Sequence, residues 1–390
     1  MSGTALPSRP QAGGRLGVAA AIAAISVAGI GFGHSIPLFS VLLDRAGATG
    51  FQNGAATAAG ATAVVLATPF YPRVIARTGL KPFLLLSVAV MVAAYACVFA
   101  VRETIWAWYP LRFLFSMGAS GMFVGSEIWI NGAATRESRG RLIGLYSTCL
   151  ALGFALGPVF LRQTGFDGAA PFVTGGLVFA CAALPILLAR PPAAEPEDET
   201  DAHVLPLLRL APVTFGASAT FGAVESTLLV FLPLLVLAAG YAEATSAEVV
   251  MVYGFGLFAF QYALGQAADR IGITRTLWLC AAAAAALAAL LPLATDVRVT
   301  LYPMVFLLGG FVAGISTVGL VLLGDRFEGP RLAAASTGYA TAWGLGAAVG
   351  PSLAGLTRDH GGYDGMIWLV ALALGAYALA AFIRRGAAYP

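Results

Sequence analysis

Apolar residues run along this chain in blocks of about twenty, the length needed to cross about 30 Å of hydrocarbon at about 1.5 Å per residue. Twelve blocks, separated by mostly short polar links, predict helical spans near 16–43, 51–72, 82–101, 105–132, 141–164, 169–189, 209–238, 246–267, 274–294, 300–324, 332–357 and 364–384. A membrane barrel would need strands of about ten alternating residues instead. Glycine and alanine recur through the blocks, which suits helices that approach backbone to backbone in lipid. The pattern is that of an all-α integral membrane protein, and its first block, too long for a signal-peptide core, is expected to stay as an anchor.

The link at 190–208 departs from the others. It opens on Arg190-Pro191-Pro192 and carries Glu195, Glu197, Asp198, Glu199 and Asp201, the make-up of a solvated linker. It divides the chain into two six-span halves, 1–189 and 209–390. An internal repeat supports that division. Gly79, in Arg77-Thr78-Gly79-Leu80-Lys81, matches Gly272 in Arg270-Ile271-Gly272, and Gly157-Pro158 matches Gly350-Pro351, both at an offset of 193 residues. Such duplication marks carriers assembled from repeated bundles.

Composition narrows the function. Of 390 residues 59% are apolar and 11% charged, with a mean hydropathy of +0.84. A water-soluble domain carries about a quarter charged residues, so this surface belongs in a lipid bilayer. The net charge of +3, with no basic run interleaved by aromatics, argues against a nucleic-acid partner. Cys97, Cys149, Cys181 and Cys280 all lie in apolar runs with no metal-ligand spacing, so they read as packing residues, without disulfide or metal. No HExxH, GxSxG or P-loop is present, which argues against an enzyme, an ATP-driven pump or a bound cofactor. In the links, 16 basic residues fall on one side and 5 on the other, the latter being Arg45, Arg102, Arg162, Arg298 and Arg358. The positive-inside rule makes the basic side cytoplasmic. Both termini are therefore expected in the cytoplasm, and the protein in a bacterial inner membrane.

The stretch Gly265-Gln266-Ala267-Ala268-Asp269-Arg270-Ile271-Gly272, between spans eight and nine, resembles the G-xxx-D-R-x-G signature of the major facilitator superfamily. Its copy between spans two and three is degraded: Pro72 and Ala76 replace glycine and aspartate, while Arg77, Gly79 and Lys81 remain. Arg112 resembles the superfamily's membrane arginine. Glu127-Ile128-Trp129-Ile130-Asn131, Arg139-Gly140-Arg141 and Gly324-Asp325-Arg326-Phe327 are similar to its bacterial YcaD-like branch. The resemblance implies two pseudo-symmetric six-helix bundles, spans one, four, seven and ten around a central cavity, and alternating access. It also implies a conformational switch, with Asp269 and Arg270 docking near the start of span five at Arg139 and Arg141. Glu127 and Asp325, near the cytoplasmic ends of spans four and ten, either pair with Arg77, Arg136 or Arg326 to close an inner gate or form surface ion pairs without gating. Gly153-xxx-Gly157-Pro158 resembles the opening of an antiporter motif, but Leu161 and Arg162 stand in place of its closing glycines.

An ionisable side chain in mid-span costs at least about 2.5 kcal/mol on insertion scales, so each is a candidate functional group. Three stand out. Glu225 lies roughly 21 Å into span seven and His34 roughly 27 Å into span one at about 1.5 Å per residue. Adding the offset to 34 gives 227, so the two hold nearly corresponding places. Glu225 is the candidate proton-coupling carboxylate, the alternative being a neutral group bonded to a neighbouring helix. His34 is either a relay or substrate contact, or a packed histidine. Arg112 cannot shed its charge, which leaves it as counter-ion to Glu225 or as binder of a substrate anion. Gln52, Asn53, Gln261, Gln266, Ser316, Thr317, Tyr339 and Trp343 offer further polar contacts in or beside the cavity. The reading is a monomeric carrier of a small-molecule substrate, coupled to protons and working as an exporter. An uncoupled facilitator or a transporter-like sensor is the alternative.

Overall fold

The computed structural model describes residues 14–133, 139–189, 191, 210–295 and 297–384. Arg136 and the acidic positions of the 190–208 link lie outside them. The described residues are helical almost throughout. Span one is Gly14–Arg45; span two, Gly50–Ala67, turns through Thr68–Phe70 into Tyr71–Thr78. Leu80–Val101, Ile105–Ala133 and Arg139–Thr164 form spans three to five, and span six joins Ala170–Cys181 to Ala183–Leu188. In the second half, span seven is Pro212–Ala238, span eight joins Glu243–Ala259 to Gln261–Ile271, span nine is Ile273–Ala294 and span ten Arg298–Arg326.

Three boundaries differ from the hydropathy pattern. Spans two and eight run past 72 and 267, because each is continued by a short amphipathic segment that ends at a signature glycine. The predicted link between spans eleven and twelve nearly vanishes. Gly329–Ile383 is one helical assignment interrupted at Gly362, whose φ of 66° reverses the chain in a conformation that side chains with a Cβ resist. Twelve spans result, and an even number places Gly14 and Arg384 at one end, called here the near end; the opposite end is the far end.

The repeat is visible in geometry. Gly79 (φ 85°, ψ 158°) and Gly272 (φ 96°, ψ 140°) turn the chain alike. Gly47 (φ 82°) and Gly240 (φ 83°), also 193 residues apart, do the same at the far end. Packing repeats as well. A Cβ on Gly153 or Gly157 would strike the carbonyls of Ser26 and Ile30; on Gly346 or Gly350 it would strike those of Ala219 and Ala223, each residue displaced by 193. The antiporter-like glycine run is thus the seam along which span five meets span one, and its repeat is the seam between spans eleven and seven.

The two interiors are filled differently. Around Phe32, Phe39, Tyr95, Phe115 and Phe179 the first half is aromatic, with Phe39 and Phe115 at 5.5 Å and Phe115 and Phe179 at 5.4 Å between ring centroids. The second half packs small and branched residues, including Leu228, Ala281, Ala284, Ala288 and Leu291, all fully buried. Large apolar side chains such as Trp106, Leu293 and Leu372 face outward, as a lipid-embedded surface requires.

Candidate functional site

Glu225 sits in mid-span on span seven, followed directly by Ser226 and Thr227. Its carboxylate accepts a hydrogen bond from the Trp343 indole, Nε1 to Oε2 3.1 Å, across to span eleven. Gly222, one turn earlier, makes this possible: a Cβ there would collide with the Trp343 carbonyl and lie 3.0 Å from its Cδ1. Tyr253 of span eight is within electrostatic reach of Glu225, and its buried hydroxyl has no hydrogen-bond partner among the described residues. No ion pair to Glu225 occurs among the described residues. The place equivalent to Glu225 in the first half, 193 residues earlier, is held by Phe32, stacked 5.3 Å from Phe123. The same helix seam therefore forms without a carboxylate, and Glu225 is not something the fold demands.

The structure does not bring His34 or Arg112 to Glu225. His34 is fully buried, its Nδ1 3.3 Å from the Tyr95 hydroxyl of span three. A Cβ on Gly175 of span six would lie 3.0 Å from that nitrogen, and Nε2 has no partner among the described residues. His34 thus belongs to the packing of spans one, three and six. Arg112, 8% exposed, donates to Thr57 Oγ1 at 3.4 Å and lies 5.1 Å from the centre of the Phe39 ring. Those contacts bind span four to spans two and one, with the ring face supplying a cation–π contact. The group bonded to the Glu225 carboxylate is the Trp343 indole, not a guanidinium.

The other polar candidates have mostly local partners. Gln52 closes a capping box with Thr49 at the start of span two. Asn53, buried, donates to the Ser40 carbonyl at 2.9 Å, while the Ser40 hydroxyl donates to the Val230 carbonyl of span seven. The Ser316 carbonyl accepts from Tyr339 at 3.0 Å, Gln266 donates to Tyr262 at 3.0 Å, and Gln261 is exposed. Only Trp343 among them bonds Glu225.

At the near end, the switch residues are spread over the surface. Asp269, Arg275, Trp278, Asp325 and Arg326 line a cleft of about 790 Å³ within the second half. Asp269, Arg270, Arg77, Gly79, Glu127, Arg141 and Asp325 are exposed, and a Cβ on Gly265 would meet nothing. The expected docking of Asp269 at the start of span five is not the arrangement seen: its segment packs on spans nine and ten, and the Arg139 side chain lies outside the described ones. Lys81 has another task. Its Nζ donates to the carbonyls of Leu187 (2.7 Å) and Ala189 (3.1 Å), capping the end of span six.

The far end is joined across the halves by residues that hydropathy did not single out. Asp44 of span one pairs with Arg358 of span eleven at 2.6 Å, and Arg45 pairs with Glu243 of span eight. Asp359 accepts from the backbone amides of Gly50 (2.6 Å) and Phe51 (2.8 Å), the positive end of span two. Glu248 of span eight takes Arg162 of span five at 3.1 Å, Arg298 of span ten at 3.0 Å, and the Tyr302 hydroxyl. These ion pairs all lie at this end. In the sequence Arg45, Arg102, Arg298 and Arg358 each stand within two residues of an acid, but those neighbours are not the acids that the paired arginines meet.

Comparison with known proteins agrees with this architecture. The family model described as Major Facilitator Superfamily matches residues 21–297 and 214–389. The uncharacterized MFS-type transporter YfkF of Bacillus subtilis (strain 168) is 23% identical over 344 residues, covering 85% of this chain and 86% of its own. YcaD of Salmonella heidelberg (strain SL476), also an MFS-type transporter, is 23% identical over 330 residues, covering 83% and 84%. Among solved structures, the nucleoside transporter NupG superposes with a TM-score of 0.76 at 13% identity, over 95% of this chain and 98% of that one. A D-xylose-proton symporter gives a TM-score of 0.73 at 13% identity, over 94% and 97%.

Proposed function

The chain belongs to the Major Facilitator Superfamily, and from that premise we propose that it exports a small organic solute in exchange for protons, with Glu225 as the coupling carboxylate. That it is a transporter and not an enzyme follows from the family and its relatives. The observation that carries the finer reading is the place of Glu225: a carboxylate without an ion-pair partner among the described residues, where the repeat puts Phe32. A group that can be loaded with a proton while the cavity faces one side and emptied on the other converts a proton gradient into solute movement. Trp343 suits the ionised state of the site, since its N–H donates to the carboxylate and its ring face can receive a cationic solute.

In this reading the basic near end is cytoplasmic and the 190–208 link joins bundles 1–189 and 209–390 on that side of a bacterial inner membrane. The closed far end and exposed near-end switch belong to the inward-open state of an alternating-access cycle, carried out by a single copy of the chain. The test is flux into or out of liposomes holding purified protein. Organic anions, cations and sugars are screened under an imposed pH gradient while a pH dye follows protons. Wild type is expected to move solute and protons together, and Glu225→Gln to lose the proton movement while still binding solute. Proton-coupled flux that survives in Glu225→Gln contradicts the assignment; wild-type solute flux without protons makes the protein a facilitator, with Glu225 a packing residue.

A further inference from the structure

The far end holds two kinds of cross-half ion pair. Asp44–Arg358 is a simple pair. The group around Glu248 is not: its carboxylate, only 15% exposed, is shared between Arg162 of the other half and Arg298 and Tyr302 of its own half. We propose that Arg162 and Glu248 form the latch that holds the far end shut, and that Arg298 and Tyr302 are positioning residues that keep the Glu248 carboxylate aimed and satisfied when the latch releases.

The physical case rests on what each partner keeps when the halves part. A charge left buried without a partner makes separation costly. Glu248 avoids that cost, since Arg298 and Tyr302 both move with it on span ten of the same half. Arg162, whose side chain is already 59% exposed, goes to water. One charge-assisted hydrogen bond is therefore exchanged for hydration, and the contact can be made and broken in every cycle. The same reasoning explains why an arginine stands at 162, where the run resembling an antiporter motif would close on glycine. Gly157 packs on the backbone of span one, and five residues further along the helix Arg162 carries a side chain long enough to reach span eight. Two further fastenings accompany it: Arg45, also held by Asp167 of its own half, pairs with Glu243 of span eight, and Asp44–Arg358 joins spans one and eleven on the opposite flank.

The experiment uses the full chain with its four cysteines replaced by alanine, carrying nitroxide labels at Thr104→Cys and Ala239→Cys. Both positions are exposed at the far end, one in each half. Electron–electron distance distributions are recorded in lipid nanodiscs. Wild type is expected to give mainly the short distance. Arg162→Gln should raise the long-distance population by about fivefold, the low end of usual coupling between conformational states. Arg162→Lys, which keeps the charge, should retain most of the short distance. Arg298→Gln, which removes only a contact within one half, should shift the populations less than about twofold on the same scale. On the other flank Asp44→Arg should lengthen the distance and the double exchange Asp44→Arg with Arg358→Asp should restore it. An unchanged distribution in Arg162→Gln, or equal opening in Arg298→Gln, overturns the proposal. The readout needs no substrate, so a failed transport assay and a failed latch are separate results.

Discussion

The two ends of this molecule are built on different terms. At the far end the halves are fastened by Asp44–Arg358, Arg45–Glu243 and Arg162–Glu248, and by Asp359 on the first amides of span two. Beneath those charges the backbones themselves touch: a Cβ on Gly54 would run into Pro351, and one on Gly50 into the Gly355 carbonyl. At the near end Asp269, Arg270 and Gly272 of the family signature lie exposed, and a Cβ on Gly265 would meet nothing. Across the halves, Gly50 and Gly54 are tight at the far end, while the signature Gly265 at the near end meets nothing. The signature residues are therefore to be judged by the contacts of a second conformation, not by their idleness in this one.

The contrast can be broken most severely at Gly54. Gly54→Leu places a side chain where Pro351 already sits; overpacking costs about 1–3 kcal/mol, and parting the halves relieves it. The long-distance population at the far end is expected to rise about tenfold or more, read by the label pair above. Removal of the latch by Arg162→Gln comes next, at the fivefold shift already given. Asp269→Asn acts at the other end. If its charge faces a helix N-terminus only in the far-end-open state, a contact of up to about 1 kcal/mol is lost, and that state should fall by up to about fivefold in accessibility labelling; no shift rejects the switch. The smallest effect is expected at Asn53→Ala, which strips one donor from the Ser40 carbonyl. It should cost about 1 kcal/mol and appear as a modest drop in melting temperature with transport retained.

Much of the fold was legible because crossing lipid imposes a length on each helix. Span number, the even topology and the 193-residue repeat are all written in blocks of apolar residues and a few glycines. What hydropathy missed was geometry inside that frame. Spans two and eight continue past their apolar blocks as amphipathic segments, and Gly362 makes a turn that composition reads as a link. Within the site, mid-span charge directed attention to Glu225, His34 and Arg112. It could not say which way each side chain turns. His34 and Glu225 hold nearly matching places in the repeat, yet a shift of two positions along a helix is about 200° of rotation at 3.6 residues per turn. One therefore reaches Tyr95 in its own half and the other Trp343 in the other seam. The far-end ion pairs escaped notice because charges at span ends are ordinary in a membrane protein, and only the assembled halves show that Arg162 and Glu248 meet.

The most direct test of the account asks whether the two ends are coupled. A second label pair, Thr78→Cys with Ile271→Cys, reports the near end, where both residues are exposed. It is read in the same cysteine-replaced protein with and without Arg162→Gln. Coupled ends give a reciprocal change: as Arg162→Gln lengthens the far-end distance, the near-end distance shortens and Asp269 becomes protected. A far end that opens while the near-end distribution stays as it was would contradict alternating access, and would leave the Arg162–Glu248 bond a local fastening of the helix ends.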